Sequence, residues 1–380
     1  MGCLHHWTSE FQLGGHHIAR SFLDKGWEVA FISEPISPFH IFAGLTPELK
    51  ARYSIYKNAG IETYEQKFWT YIPFSLFTPQ NKPFLKTNFV YENWHKFTYP
   101  NIVDLIKKKN FAEVDLLYID SIKQHFLLDV IKYKKAVFRV ADNNSEFSKS
   151  IDNIRYYEKK IAQKVDIVVY TASGLKEYVL AMKPKEIYHM PNGVNFEYFF
   201  NGSKEMPADL KNIPRPIAIY VGAISEWFDY ALLNEAAKNF PKVSFVLIGQ
   251  EELARKKLYK LPNIYLLGKK PYISIPSYLH NSDVGIIPFN VKKYPNLVNN
   301  INPLKLYEYM SCGLPVVSIK WEEVEKLNTP AHLAETTDEF FIGIKIALDE
   351  KKSKEQIYIE YAKSKKWVNQ INNFLDCLNL

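Results

Sequence analysis

Short apolar runs alternate with longer amphipathic stretches along most of this chain. Residues 27–32, 114–119, 136–140 and 165–170 are runs rich in β-branched and aromatic side chains, separated by segments with helical spacing. Such runs between helices predict a parallel sheet covered on both faces. The same rhythm returns after residue 216, where 217–223, 243–249, 263–268, 283–289 and 314–319 predict five further buried strands. The intervening 201–216, with Gly202, Pro207, Pro214 and Pro216, reads as a linker. The tail, with Ile357, Tyr361, Trp367, Ile371 and Phe374, predicts one or two helices. Residues 38–100 break the pattern. They are aromatic and carry Pro73, Pro79, Pro83 and Pro100, and they read as an insertion that serves an acceptor or packs as a surface excursion.

Four stretches carry candidate chemistry. The first is 302–317, a short helix followed at once by a strand. Asn302 is a candidate N-cap, Pro303 suits the first helical position, and Gly313 suits the left-handed residue that ends the helix. Lys305 and Glu308 lie three apart and share one face, as a surface ion pair or as a grip on a diphosphate and a ribose diol. The second is Leu13-Gly14-Gly15-His16-His17, where paired glycines enter a helix and its amides can approach an anion closely. The strand expected before this loop has only residues 1–6 available. It is therefore very short, or the sequence starts late. The third is Ala141-Asp142-Asn143-Asn144, just past the predicted strand 136–140. Ligands gather beyond the carboxyl ends of parallel strands. Asp142 there is a candidate general base or an ordinary helix cap, with Glu146 and Asp120 as reserves. Strand 217–223 breaks at Gly222, and Ser225 is expected to begin the helix that follows, facing phosphate.

Pro303-Leu304-Lys305-Leu306-Tyr307-Glu308-Tyr309, closed by Gly313-Leu314-Pro315-Val316-Val317, resembles the donor-binding signature of GT-B glycosyltransferases, of the family-4-like and GumK-like kind. Pro191-Asn192-Gly193-Val194 resembles the turn that closes their N-terminal domain. The glycine pair resembles their first loop. The resemblance implies two Rossmann-like, doubly wound parallel-sheet domains facing across a cleft: 1–200 for the acceptor and 217–350 for the nucleotide sugar, with 351–380 crossing back to the first. It implies that Glu308 holds the ribose and Lys305 the diphosphate, with Gly222, Ser225 and Tyr307 also binding donor. Gly14, Gly15 and His16 would form an acceptor or phosphate loop, and Asp142 would take the acceptor's proton. Retaining family-4 enzymes carry a second Glu where this chain has Ile301, which favours inversion. The expected function is transfer from a UDP-sugar to a glycan or lipid-linked acceptor in surface polysaccharide biosynthesis, without a bound metal or other cofactor. The alternatives are a GT-B nucleotide-sugar epimerase and a non-catalytic nucleotide-sugar-binding subunit.

Bulk composition adds little that competes. The 380 residues are 47% hydrophobic and 23% charged, enough for two cores. A formal charge of +7 suits anionic ligands or an anionic membrane face and is too scattered to predict nucleic-acid binding. Aromatic content of 15%, including Trp69, Phe74 and Phe77, offers candidates for peripheral membrane docking. Cys3, Cys312 and Cys377 have no metal-ligand spacing and fit free thiols in a reducing compartment. No apolar run approaches the roughly 18–20 residues of a membrane span. The expectation is a cytoplasmic protein, free or docked at the inner membrane face.

Overall fold

Both expected parallel sheets form. The computed structural model describes residues 1–9, 12–42, 44–63, 65–144 and 153–378. They divide into two units, Met1–Pro191 with Ile371–Leu380, and Asn192–Gln370. The first unit holds β1 (Gly2–Cys3), β2 (Val29–Ser33), β3 (Ile61–Thr63), β4 (Phe68–Tyr71), β5 (Glu113–Ile119), β6 (Lys132–Val140), β7 (Ile167–Tyr170) and β8 (Ile187–His189). Their order is β3-β4-β2-β1-β5-β6-β7-β8, with only β3 antiparallel to its neighbour. The second unit holds β9 (Ile217–Val221), β10 (Ser244–Ile248), β11 (Ile264–Leu266), β12 (Val284–Ile287), β13 (Val316–Ile319) and β14 (His332–Ala334). They are all parallel, in the order β11-β10-β9-β12-β13-β14.

The central strands are apolar at consecutive positions because helices cover both sides. Ile217, Ala218, Ile219 and Tyr220 are all at most 1% exposed, as a doubly covered strand requires. In each sheet the chain leaves the centre toward one edge and then returns to the other side. The order therefore reverses between β1 and β5 in one unit and between β9 and β12 in the other. Ligands of doubly wound sheets bind outside the strand ends at such a reversal.

Several expectations are corrected. Before the glycine pair the given chain supplies β1, of two residues, and Gly2 pairs with both Ile32 and Ile119. Residues 38–100 are not a mere insertion. They supply β3 and β4, and Trp69 and Tyr71 are buried in the core. Trp69 is 3% exposed and stacks on Tyr71, so it is no docking side chain. Prolines around a four-residue strand hid it from a pattern search. The proposed linker 201–216 lies inside the second unit, where Leu210 and Ile213 join the core. The tail forms the helices Thr337–Ser364 and Trp367–Leu378. Its last part belongs to the first unit, with the Phe374 ring 5.2 Å from that of Tyr188.

Candidate functional site

In the second unit, β9 ends at the reversal point and the chain turns through Gly222 at φ +145°, a region that L side chains rarely adopt. A Cβ on Gly222 would stand 3.0 Å from Lys305 Cε and 3.3 Å from Nζ. Lys305 comes from the helix Leu304–Ser311, and its ammonium also lies 5.1 Å from the Phe289 ring centroid and 5.4 Å from that of Tyr220. The helix is held at the strand end by Tyr309, whose hydroxyl accepts the Val221 N–H at 2.7 Å. Glu308 is half-buried one turn after Lys305. Burial pushes its carboxyl up to about 7, and the charge of Lys305 pulls the other way. This places a cation beside the backbone of a glycine loop, with a carboxylate of raised pKa one helical turn further along and within reach of that cation's charge.

The start of that helix differs from the expected cap. Pro303 is the N-cap, and Asn302 makes no capping bond. Asn302 is instead a buried hub. Its side chain accepts from the Tyr307 hydroxyl at 3.2 Å and donates to Glu323 at 3.0 Å, and its carbonyl accepts from Asn192 at 2.8 Å. The Asn192 turn thus ties to the opening of the helix. Gly313 has the expected left-handed φ of +69°. Tyr307 is fully buried, so its contribution is to packing and not to ligand contact. Ser225 lies in a loop, and the helix begins only at Tyr230, with Asp229 accepting the Leu232 N–H at 3.0 Å. The helix start expected to face phosphate is therefore already capped by its own chain.

In the first unit the equivalent reversal point lies beside the helix Gly14–Asp24. Arg139, on β6, and Asp120, just past β5, form an ion pair of 3.0 Å with side chains 5% and 13% exposed. The glycines make room for it. A Cβ on Gly14 would stand 2.4 Å from Arg139 Nη2, and one on Gly15 would stand 2.7 Å from Asp120 Oδ2. His16 is 1% exposed and faces inward. Its Nδ1 accepts the Leu13 N–H at 3.2 Å, its Nε2 lies 2.9 Å from the His6 carbonyl, and burial pulls it down to about 4. It fixes the loop as a neutral imidazole.

Asp142 follows β6 by two residues and is half-buried, and its charge acts on Arg139. The loop around it is anchored on both flanks. Thr171 Oγ1 donates to the Ala141 carbonyl at 2.7 Å, and Asn144 Nδ2 donates to Glu158 Oε1 at 2.8 Å. Tyr178 donates to the other Glu158 oxygen. Glu146 lies outside the described residues.

Residues 1–171 match the family model of the glucuronosyltransferase GumK N-terminal domain, and residues 203–365 match glycosyl transferases group 1. The chain belongs to the GumK-like group 1 glycosyltransferases. A Bacillus subtilis (strain 168) relative named for teichuronic acid biosynthesis, the glycosyltransferase TuaH, is 27% identical over 195 residues, 49% of this chain and 48% of that protein. The match thus spans about half the length of that relative. Among solved structures, sucrose-phosphate synthase from Thermosynechococcus elongatus has a TM-score of 0.68 at 15% identity, covering 100% of this chain and 98% of that one. HepE from Anabaena, solved with UDP-glucose, has 0.60 at 14%, covering 99% and 97%. An E. coli trehalose-6-phosphate structure bound with UDP-2-fluoro glucose has 0.65 at 10%, covering 99% and 98%. These likenesses establish the GT-B fold.

Of the residues singled out in this glycosyltransferase, the fold sets Lys305 against Gly222 and within electrostatic reach of Glu308 in one unit, and Gly14 and Gly15 against the Arg139–Asp120 pair in the other. Sequence reasoning missed Arg139, although a cation inside the apolar run 136–140 was a usable signal. It also missed Thr171 and Glu158, whose partners no spacing reveals.

Proposed function

We propose that this chain transfers a sugar from a UDP-sugar to a glycan or lipid-linked acceptor in surface polysaccharide biosynthesis. The observation that carries the reading is the trio Lys305, Glu308 and Gly222 at the reversal point of the second sheet. Lys305 would neutralise the diphosphate as it leaves, and Glu308 would accept hydrogen bonds from the ribose diol. The glycine at 222 leaves room for the Lys305 ammonium against the loop, where phosphate oxygens would meet it. The UDP and UDP-sugar complexes of structural neighbours support uridine as the donor's nucleoside.

In the first unit, Asp142 would act as general base. The acceptor hydroxyl gives its proton to the carboxylate while its oxygen attacks the anomeric carbon. The bond from that carbon to the diphosphate breaks, and the electron pair leaves with UDP. This single displacement inverts the anomeric centre. Ile301 supports it, because the second Glu of retaining family-4 enzymes is missing there. Removing a general base lowers turnover by about 10²–10⁴-fold, the loss expected for Asp142→Asn.

The acceptor's lipid would be met by an aromatic face of the first unit. Phe84, Phe89 and Tyr99 are 54%, 57% and 78% exposed, with Lys82, Lys86 and Lys96 exposed nearby in sequence. Phe77 bridges Phe84 and Phe97 at 5.4 and 5.6 Å. Binding to anionic vesicles that weakens with salt supports this contact, and indifference to anionic lipid refutes it.

The deciding experiment is a thermal-shift panel of UDP-, GDP- and TDP-sugars, since a ligand bound only by the folded state raises the melting temperature. A shift with UDP-sugars that disappears in Glu308→Ala supports the donor site, and an undiminished shift overturns it. UDP release on adding acceptor extract separates a transferase from a binding subunit, and recovery of an epimerised nucleotide sugar would indicate an epimerase.

A further inference from the structure

We propose that Glu158 is a positioning residue for Asp142, holding the loop that presents this carboxylate to the acceptor. The inference rests on Asp142 being the base. Asp142 sits between two tethers that come from different elements. Thr171, just past β7, fixes the carbonyl of the residue before it at 2.7 Å. Glu158, on the helix Ile154–Lys164, fixes Asn144 two residues after it at 2.8 Å.

Glu158 is 0% exposed, and a carboxylate is costly to bury unless its oxygens are hydrogen-bonded. Here one oxygen takes Asn144 and the other takes the Tyr178 hydroxyl. Burial raises the carboxyl's pKa, while those two bonds and the charge of Arg155 lower it. An apolar side chain would fill the same space without that cost, but it could not reach out of the helix to the loop. The bond to Asn144 is thus the part of the arrangement that core packing does not require. With both tethers in place, the Asp142 carboxylate keeps its position beside Arg139. A base displaced by about 1 Å loses on the order of 10²-fold in rate. Glu158 exchanges no proton with substrate in this scheme.

The test uses the full chain, acceptor extract and the UDP-sugar that the wild-type protein turns over fastest, read as UDP released. Four variants are compared: Asp142→Asn, Glu158→Ala, Glu158→Gln and Asn144→Ala. Affinity for UDP is measured separately by calorimetry. Glutamine can still accept from Asn144, so Glu158→Gln should stay within about threefold of wild type, whereas Glu158→Ala and Asn144→Ala should fall by about tenfold or more in kcat with UDP affinity unchanged. Asn144→Ala cuts the same tether from the half-buried loop side while Tyr178 still bonds Glu158, and it keeps the test valid if Glu158→Ala does not fold. If Asp142→Asn is slow but Asn144→Ala turns over within about twofold of wild type, the positioning role is refuted and Asp142 stands. If Asp142→Asn turns over normally, or the wild type releases no UDP, the base assignment itself falls, and this inference falls with it.

Discussion

Lys305 lies against Gly222 so closely that a methyl group on the glycine would stand 3.0 Å from Lys305 Cε. The cation and the bare loop therefore form one feature, built from strand end and helix together. Gly222→Ala should displace the ammonium and strain a backbone at φ +145°. The strain costs roughly 1–3 kcal/mol of stability, measurable by urea unfolding. Loss of one charge-assisted contact should weaken UDP binding by about tenfold or more, measurable by calorimetry.

Glu308 gives a pH dependence with a definite sign. Its carboxyl titrates near 7 in the folded protein, raised by burial, and in the ordinary carboxylate range when unfolded. The unfolded chain therefore releases this proton first as pH rises, and the residue's contribution to stability falls between about pH 4.5 and pH 7. Glu308→Gln removes the penalty. It should melt higher than wild type at about pH 8 and equally at about pH 4, while losing the thermal shift given by UDP-sugars.

The Arg139–Asp120 pair should behave as buried pairs do. Asp120→Asn leaves a buried guanidinium without its counter-charge and should cost about 3–5 kcal/mol in unfolding free energy. Replacing both residues by leucine should recover most of that stability without restoring turnover, if the pair also steadies Asp142. Gly14→Ala, whose methyl would stand 2.4 Å from Arg139 Nη2, should resemble Asp120→Asn and not a surface substitution.

Tyr309→Phe keeps the packing but orphans the Val221 N–H that its hydroxyl accepts at 2.7 Å. A loss of about 1–3 kcal/mol in unfolding free energy is expected, with weaker UDP binding because the helix carrying Lys305 and Glu308 loses its tie to β9.

Much of this was legible beforehand where the signal is local. The strands of both sheets showed as apolar runs, and the three-residue spacing of Lys305 and Glu308 set them on one helical face. Short elements were harder. β3, β4, β8 and β14 have three or four residues each, too few for a period to emerge against neighbouring prolines and aromatics. Asn302 was misread for a related reason. It looked like a residue serving its own turn, and it instead joins a buried network with Asn192 and Glu323, which lie elsewhere in the chain.

The sequence by itself determined the two parallel sheets, the left-handed stop at Gly313 and the shared face of Lys305 and Glu308, because these follow from side-chain period and backbone preference within a few residues. Only the tertiary structure decided that Gly14 and Gly15 make room for Arg139 and Asp120, that Tyr309 pins its helix to Val221, and that Glu158 reaches the loop after β6. Those are contacts between distant segments. Their existence depends on which strands become neighbours, and strand order is set by the packing of the whole unit and by no local pattern.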